Sequence, residues 1–187
     1  MLTANRREHL AGLGAIFGAM LAAPLSQALA AIPVTGGFFP SNPFFTPDQK
    51  LLVNAVSERI IPTTDTPGAI AAGVPDFIEM MLADWYEPVS RNEFLTGFSG
   101  LQAHARSHLG KGFPELTEEQ QDMILTEAME GKIPELPRRF FEHCRQLVIL
   151  GYYSSEIGCK VERVYLPVPG RYDGAYPYAQ VRRVFSS

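Results

Sequence analysis

Hydrophobic positions recur at helical spacing in five stretches of the chain, separated by proline, glycine and capping residues. The first opens at Thr46, with Pro47 at the first helical position and Gln49 closing a capping box. Leu51, Leu52, Ala55, Val56 and Ile60 give it one apolar face, and Pro62 stops it. Val74-Pro75-Asp76 starts a second helix whose Phe77, Ile78, Met81, Leu82 and Trp85 share a face. Ser90 with Glu93 makes a second capping box. It opens a helix to about His108, lined by Phe94, Leu95, Phe98, Leu101 and Ala105 and ended by Gly110. Thr117 with Gln120 is a third box, opening a helix with Met123, Ile124 and Ala128 and a stop at Gly131. From about Pro137 to Tyr153 the last helix carries Phe140, Phe141, Cys144, Leu147, Val148 and Leu150. Five amphipathic helices predict an all-α domain. Strand signals are weak: residues from Val161 to Val168 can pair, but Pro167, Pro169 and Gly170 close the stretch.

The pattern changes at both ends. Residues 1–30 hold Arg6-Arg7, an apolar stretch from Leu10 to Ala23, and the small-x-small sequence Ala28-Leu29-Ala30, the three parts of an export signal. The apolar stretch is shorter than the ~20 residues that a bilayer span wants. Gly12, Gly14 and Gly18 lower its hydrophobicity, and with Arg6 and Arg7 this fits a twin-arginine signal, although His9 and Ala11 depart from the usual pattern. An ordinary secretory signal or an uncleaved amphipathic anchor are the alternatives. Residues 31–187 then make one domain with no internal repeat or linker. Its lead, residues 31–45, is rich in proline and glycine and offers Phe38, Phe39, Phe44 and Phe45 as anchors. Its C-terminal arm, from about residue 159, carries Tyr165, Tyr172, Tyr176 and Tyr178 among prolines. Helical periodicity cannot bury such an arm, so it either wraps its own domain or lies on a partner, where tyrosine gives large contact area at low entropic cost.

Composition narrows the function. The chain has 187 residues, 46% hydrophobic and 19% charged, which is one domain with room for a core. A net charge of −4 leaves no basic surplus for nucleic-acid phosphates. Two cysteines and four histidines are too few for a disulfide framework or an iron–sulfur centre. No glycine-rich dinucleotide fingerprint, phosphate loop, haem-attachment motif or zinc helix appears.

Few residues carry candidate chemistry. His104 and His108 are four apart on one helix face, a spacing that can hold a metal. Their polar surroundings favour a solvated face instead, so no metal ligand is assigned. Ser154-Ser155-Glu156 puts hydroxyls beside a carboxylate but more often marks a helix end. In Pro62-Thr-Thr-Asp65-Thr-Pro-Gly, Asp65 can serve as an acid or base, or can fix the turn through side-chain-to-backbone bonds. Such a loop also suits docking. Cys144 and Cys159 are an even pair bound for an oxidising compartment, so a bridge is permitted. A continuous helix would hold them over ~20 Å apart, which favours a buried thiol at Cys144 unless the chain reverses near Gly151 and Gly158.

Taken together, several segments resemble the gluconate 2-dehydrogenase subunit 3 family. They are Phe45-Thr-Pro-Asp-Gln-Lys-Leu-Leu, Ile61-Pro-Thr-Thr-Asp-Thr-Pro-Gly-Ala, Leu150-Gly-Tyr-Tyr-Ser-Ser-Glu-Ile-Gly and Val168-Pro-Gly-Arg-Tyr. Leu116-Thr-Glu-Glu-Gln-Gln and Phe140-Phe141 also fit. The resemblance implies a small subunit of a membrane-associated, FAD-dependent sugar or sugar-acid dehydrogenase of the periplasm. It implies that a large flavoprotein subunit holds FAD and performs the oxidation, and that a c-type cytochrome subunit carrying haem c often takes the electrons. It further implies that the small subunit binds no cofactor, supplies the twin-arginine signal and escorts the flavoprotein through the export machinery. No catalytic residue carries over. The expected partner surface is Thr64, Asp65, Thr66 and Pro67 of the loop, Tyr152, Tyr153 and Glu156, and Tyr165, Tyr172 and Tyr176 of the arm. Two rival readings stand beside it: a standalone periplasmic hydrolase using Asp65 or Glu156, and a standalone ligand-binding domain using Trp85 and the phenylalanine faces.

Overall fold

The computed structural model describes residues 40–165, 170, 175, 177–182 and 184–186. The expected export signal (Arg6, Arg7, Ala28 and Ala30 included) lies outside these residues. So do Phe38, Phe39, Tyr172 and Tyr176.

Helix α1 spans Pro47–Ile60. Its capping box forms as the sequence predicts: Thr46 Oγ1 accepts from the Gln49 N–H, and Gln49 Oε1 from the Thr46 N–H. Helix α2, Val74–Met80, is continued by a π-helical turn over Met81–Trp85. Helix α3 runs Pro88–Leu109 and ends on Gly110, whose φ of 71° is left-handed. It starts two residues before the expected Ser90 cap, with Glu87 at the cap and no side-chain capping bond. Proline at the first helical position supplies that start, so the Ser90–Glu93 box is not used. A short 3₁₀ turn, Phe113–Glu115, leads to helix α4, Glu118–Met129, with the predicted Thr117–Gln120 box in place. Helix α5 spans Phe140–Ser154. A second π-helical turn, Gly158–Glu162, leads to strand β1, Val164–Tyr165. Helix α6, Tyr178–Val181, and strand β2, Phe185–Ser186, follow. β1 and β2 pair in parallel, Val164 opposite Phe185 and Tyr165 opposite Ser186. The fold is therefore all-α, with one small strand pair among the described residues, its β1 inside the 161–168 stretch whose strand signal is weak.

The core runs through the middle of all five long helices. Phe94 and Phe98 of α3 and Phe140 of α5 stack edge to face, with centroids 4.9–5.6 Å apart. Gly97 makes this approach possible, because a Cβ there would fall 2.0 Å from the Phe140 ring. Gly151 plays the same part between α5 and Phe77 of α2. The phenylalanine faces are thus spent largely on packing between helices.

Four positions depart from the expected helical faces. Leu51 is exposed and Val53 is buried in its place, and Met123 is exposed while Leu125 is buried. Leu150 is also exposed, since Gly151 and Tyr152 take the inward positions at that level of α5. Trp85 is 74% exposed. The π turn explains it: the Tyr86 N–H reaches back five residues to Met81, and this wider turn rotates Trp85 off the stripe that Ile78 and Leu82 follow.

Candidate functional site

The loop between α1 and α2 is built around one carboxylate. Glu58 Oε1 accepts from the Thr63 N–H at 2.9 Å and the Thr63 hydroxyl at 2.6 Å, and Oε2 accepts from the Ile70 N–H at 2.9 Å. Thr63 Oγ1 in turn accepts from the Gly68 N–H. A side chain at Gly68 would collide with Glu58 and the Thr63 backbone, at 2.5 Å each. Burial alone would raise the Glu58 carboxyl, but the Thr63 and Ile70 donors and nearby Arg59 hold it below its ordinary value. Glu58, not Asp65, fixes the loop: among the described residues Asp65 accepts only from the Thr64 hydroxyl. This anchor was hidden in the sequence because it sits on the preceding helix, outside the turn residues themselves.

The end of α5 supports the same region. Tyr152 is 1% exposed and donates to the Pro67 carbonyl at 2.8 Å, tying helix to loop. It is a core residue and offers a partner nothing, contrary to its place in the expected surface. Ser155 closes α5: its hydroxyl donates to the Tyr152 carbonyl at 2.6 Å and accepts from the Gly158 N–H at 3.0 Å. The Ser-Ser-Glu sequence is therefore a helix end, as its local chemistry suggests. Glu156 pairs with Lys160 at 2.8 Å on the exposed side of the following turn.

These supports frame a cleft of about 490 Å³. Thr64, Asp65 and Thr66 enter it from the loop. Tyr153, Glu162 and Arg163 enter it from the end of α5 and the π turn. Tyr178, Arg182 and Val184 enter it from the arm. Thr66 donates to Glu162 Oε2 at 2.7 Å across 96 residues of sequence. The Arg163 guanidinium lies 4.9 Å from the Tyr153 ring centroid and donates to the Tyr153 carbonyl at 2.7 Å. Of the expected partner surface, the loop and Tyr153 come together here, while the arm enters through residues other than those expected. Thr64, Asp65, Thr66 and Tyr153 line the cleft, Pro67 sits behind it as the acceptor for Tyr152, and Tyr165 stands exposed on β1. Glu156 is not among the lining residues. Glu162, Arg163 and Arg182 are members that sequence reasoning missed. Long charged side chains in a turn look like ordinary solvated surface until the arm folds back over them.

The remaining candidates resolve differently. His104 is buried, not solvated, with Nε2 3.0 Å from Glu127 Oε2 and its ring stacked on His108 at 4.0 Å. It sits one turn from Leu101 and beside Ala105 on the buried face of α3, where the Glu127 carboxylate of α4 meets it. Among the described residues no group of three metal-ligating side chains comes together. Cys144 and Cys159 form no disulfide with one another. Cys144 faces the core, where burial pushes its thiol up to about 12, while the Cys159 thiol donates to the Tyr153 carbonyl beyond the helix end. The two point into different surroundings, so the permitted bridge does not form. Among the described residues no helix is long and apolar enough to cross a membrane.

The described residues thus make a small all-α domain with a charged, tyrosine-edged cleft that opens to solvent. The sequence model of the gluconate 2-dehydrogenase subunit 3 family matches residues 47–170, more than half of the chain. The chain belongs to that family, whose name places it in a multi-subunit dehydrogenase. Searches of curated proteins and of solved structures returned no match.

Proposed function

We propose that this chain is a non-catalytic small subunit of a periplasmic, FAD-dependent sugar or sugar-acid dehydrogenase complex. It binds the folded flavoprotein subunit, supplies the twin-arginine signal through Arg6 and Arg7 for export, and stays attached as a stabilising subunit. FAD belongs to the large subunit, and a c-type cytochrome subunit with haem c receives the electrons. The family match carries this reading, since it spans the loop, the end of α5 and β1. The surface chemistry supports it. Tyr153, Tyr165 and Tyr178 are exposed, and tyrosine and arginine are the side chains that anchor protein interfaces.

The test is a pull-down of the C-terminally tagged full chain from its host, with an absorption spectrum of the eluate. A flavin band with a co-purifying dehydrogenase subunit supports the proposal. A colourless single chain overturns the stable-subunit reading. Joint replacement of Tyr165, Tyr172 and Tyr176 should reduce recovery of the flavoprotein; unchanged recovery removes the arm from the interface.

A further inference from the structure

The cleft gathers two cations and two carboxylates that are not spent on one another. Among the described residues Asp65 accepts only from the Thr64 hydroxyl, and Glu162 only from Thr66. Arg163 uses Nε and Nη2 on the Gly158 and Tyr153 carbonyls and the Cys159 sulfur, and its Nη1 has no partner among the described residues. The Arg182 side chain makes no hydrogen bond or ion pair among the described residues. Its backbone is left-handed, with φ 56°, the one non-glycine residue so placed among them. Charges of both signs, none paired with an opposite charge among the described residues, therefore line one space. What fits is an occupant carrying both signs.

The rim decides what kind of occupant. Asp65, Tyr178, Arg182 and Val184 are all exposed. Small-molecule sites bury roughly 70–90% of their ligand, and a rim this open leaves much of a small ligand in water. A polypeptide that continues past the cleft suffers no such loss, and the Tyr153 and Tyr178 rings give it flat contact area on the way. We infer that the cleft seats a surface segment of the dehydrogenase partner that presents an acidic and a basic side chain together. The acid lies against Arg182 and Arg163, and the base against Asp65 and Glu162. This inference rests on the subunit reading above.

The experiment uses the full chain in its complex. The photo-crosslinking residue p-benzoylphenylalanine replaces Tyr178, and in a separate preparation Met129, which is exposed on α4 and is not among the residues lining this cleft. The expected result is an adduct from position 178 to one peptide of the flavoprotein containing both an acidic and a basic residue, with none from position 129. Arg182→Gly, which suits the left-handed backbone, and Asp65→Lys should each lower flavoprotein recovery about tenfold. Circular dichroism of both variants should match the parent chain. A flavoprotein recovered in full with either variant, or an adduct at 129 alone, overturns the cleft proposal and leaves the subunit reading standing. No flavoprotein with the parent chain overturns both. A melting shift of the isolated chain in millimolar gluconate, lost in Arg182→Gly, overturns the polypeptide in favour of a small anionic polyol.

Discussion

The two extended ends of this domain begin from similar sequence and finish in different roles. The lead at residues 40–46 and the arm from Val164 onward are both rich in aromatic residues and prolines, and neither has helical periodicity. The lead is fastened from beneath. Glu79 is 3% exposed, and one oxygen accepts the Phe44 and Phe45 N–H groups at 2.8 and 3.0 Å while the other meets Lys50 at 3.2 Å. Phe45 packs edge-on against Phe98, Arg91 covers Phe44, and Asp84 accepts from both the N–H and the hydroxyl of Ser41. Among the described residues the arm has no buried carboxylate of this kind. Its strand pair is two residues long, and Tyr165, Tyr178, Val184 and Phe185 are exposed. Composition therefore does not separate a fastened segment from an exposed one. The number of buried polar anchors does.

The comparison breaks most sharply at Glu79. Glu79→Ala leaves two part-buried N–H groups without an acceptor and should cost about 2–3 kcal/mol in urea unfolding. If it costs nothing, the lead is not held as described.

Acid should weaken the same anchor. Burial would raise the Glu79 carboxyl, but the Phe45 and Phe44 N–H groups and Lys50 outweigh that and hold it below the ordinary range; Glu58 is lowered likewise by its own donors. A lowered folded pKa gives stability that is complete above the unfolded carboxylate value of about 4.3 and is lost as pH falls through the folded value. Unfolding followed from pH 7 down to pH 3 should show this loss, and Glu79→Gln should flatten the curve.

Between lead and arm lies the loop. Tyr152→Phe removes the donor to the Pro67 carbonyl and should cost about 1 kcal/mol, read from denaturant midpoints. The arm should be least sensitive of all. Replacing Tyr165, Tyr178 and Phe185 by Ser should change the stability of the isolated chain by under about 0.5 kcal/mol for each site, while removing most of the bound flavoprotein. A large loss of stability would make the arm a strap like the lead.

Much of this fold was legible in the sequence because its signals are local. Thr46, Thr117, Gly110 and Gly131 mark helix ends through contacts within one turn, and all of them act as expected. Trp85 was not legible, since the π turn that rotates it leaves the apolar spacing unchanged. The site was legible in part. The loop 62–69 and Tyr153 stood out by turn chemistry and aromatic content. Glu58, Glu79, Glu162 and Arg182 did not, because each acts on a partner that only the tertiary fold supplies. Tyr152 misled for a related reason: its sequence neighbour Tyr153 is exposed, and only helix packing tells the two rings apart.

The most direct measurement is hydrogen–deuterium exchange of the full chain, alone and in complex with its flavoprotein. The account predicts new protection at residues 62–66, 158–165 and 178–186, with the lead at 40–46 already protected and unchanged. Protection gained instead along α4, with the arm exchanging as it does in the free chain, would contradict it.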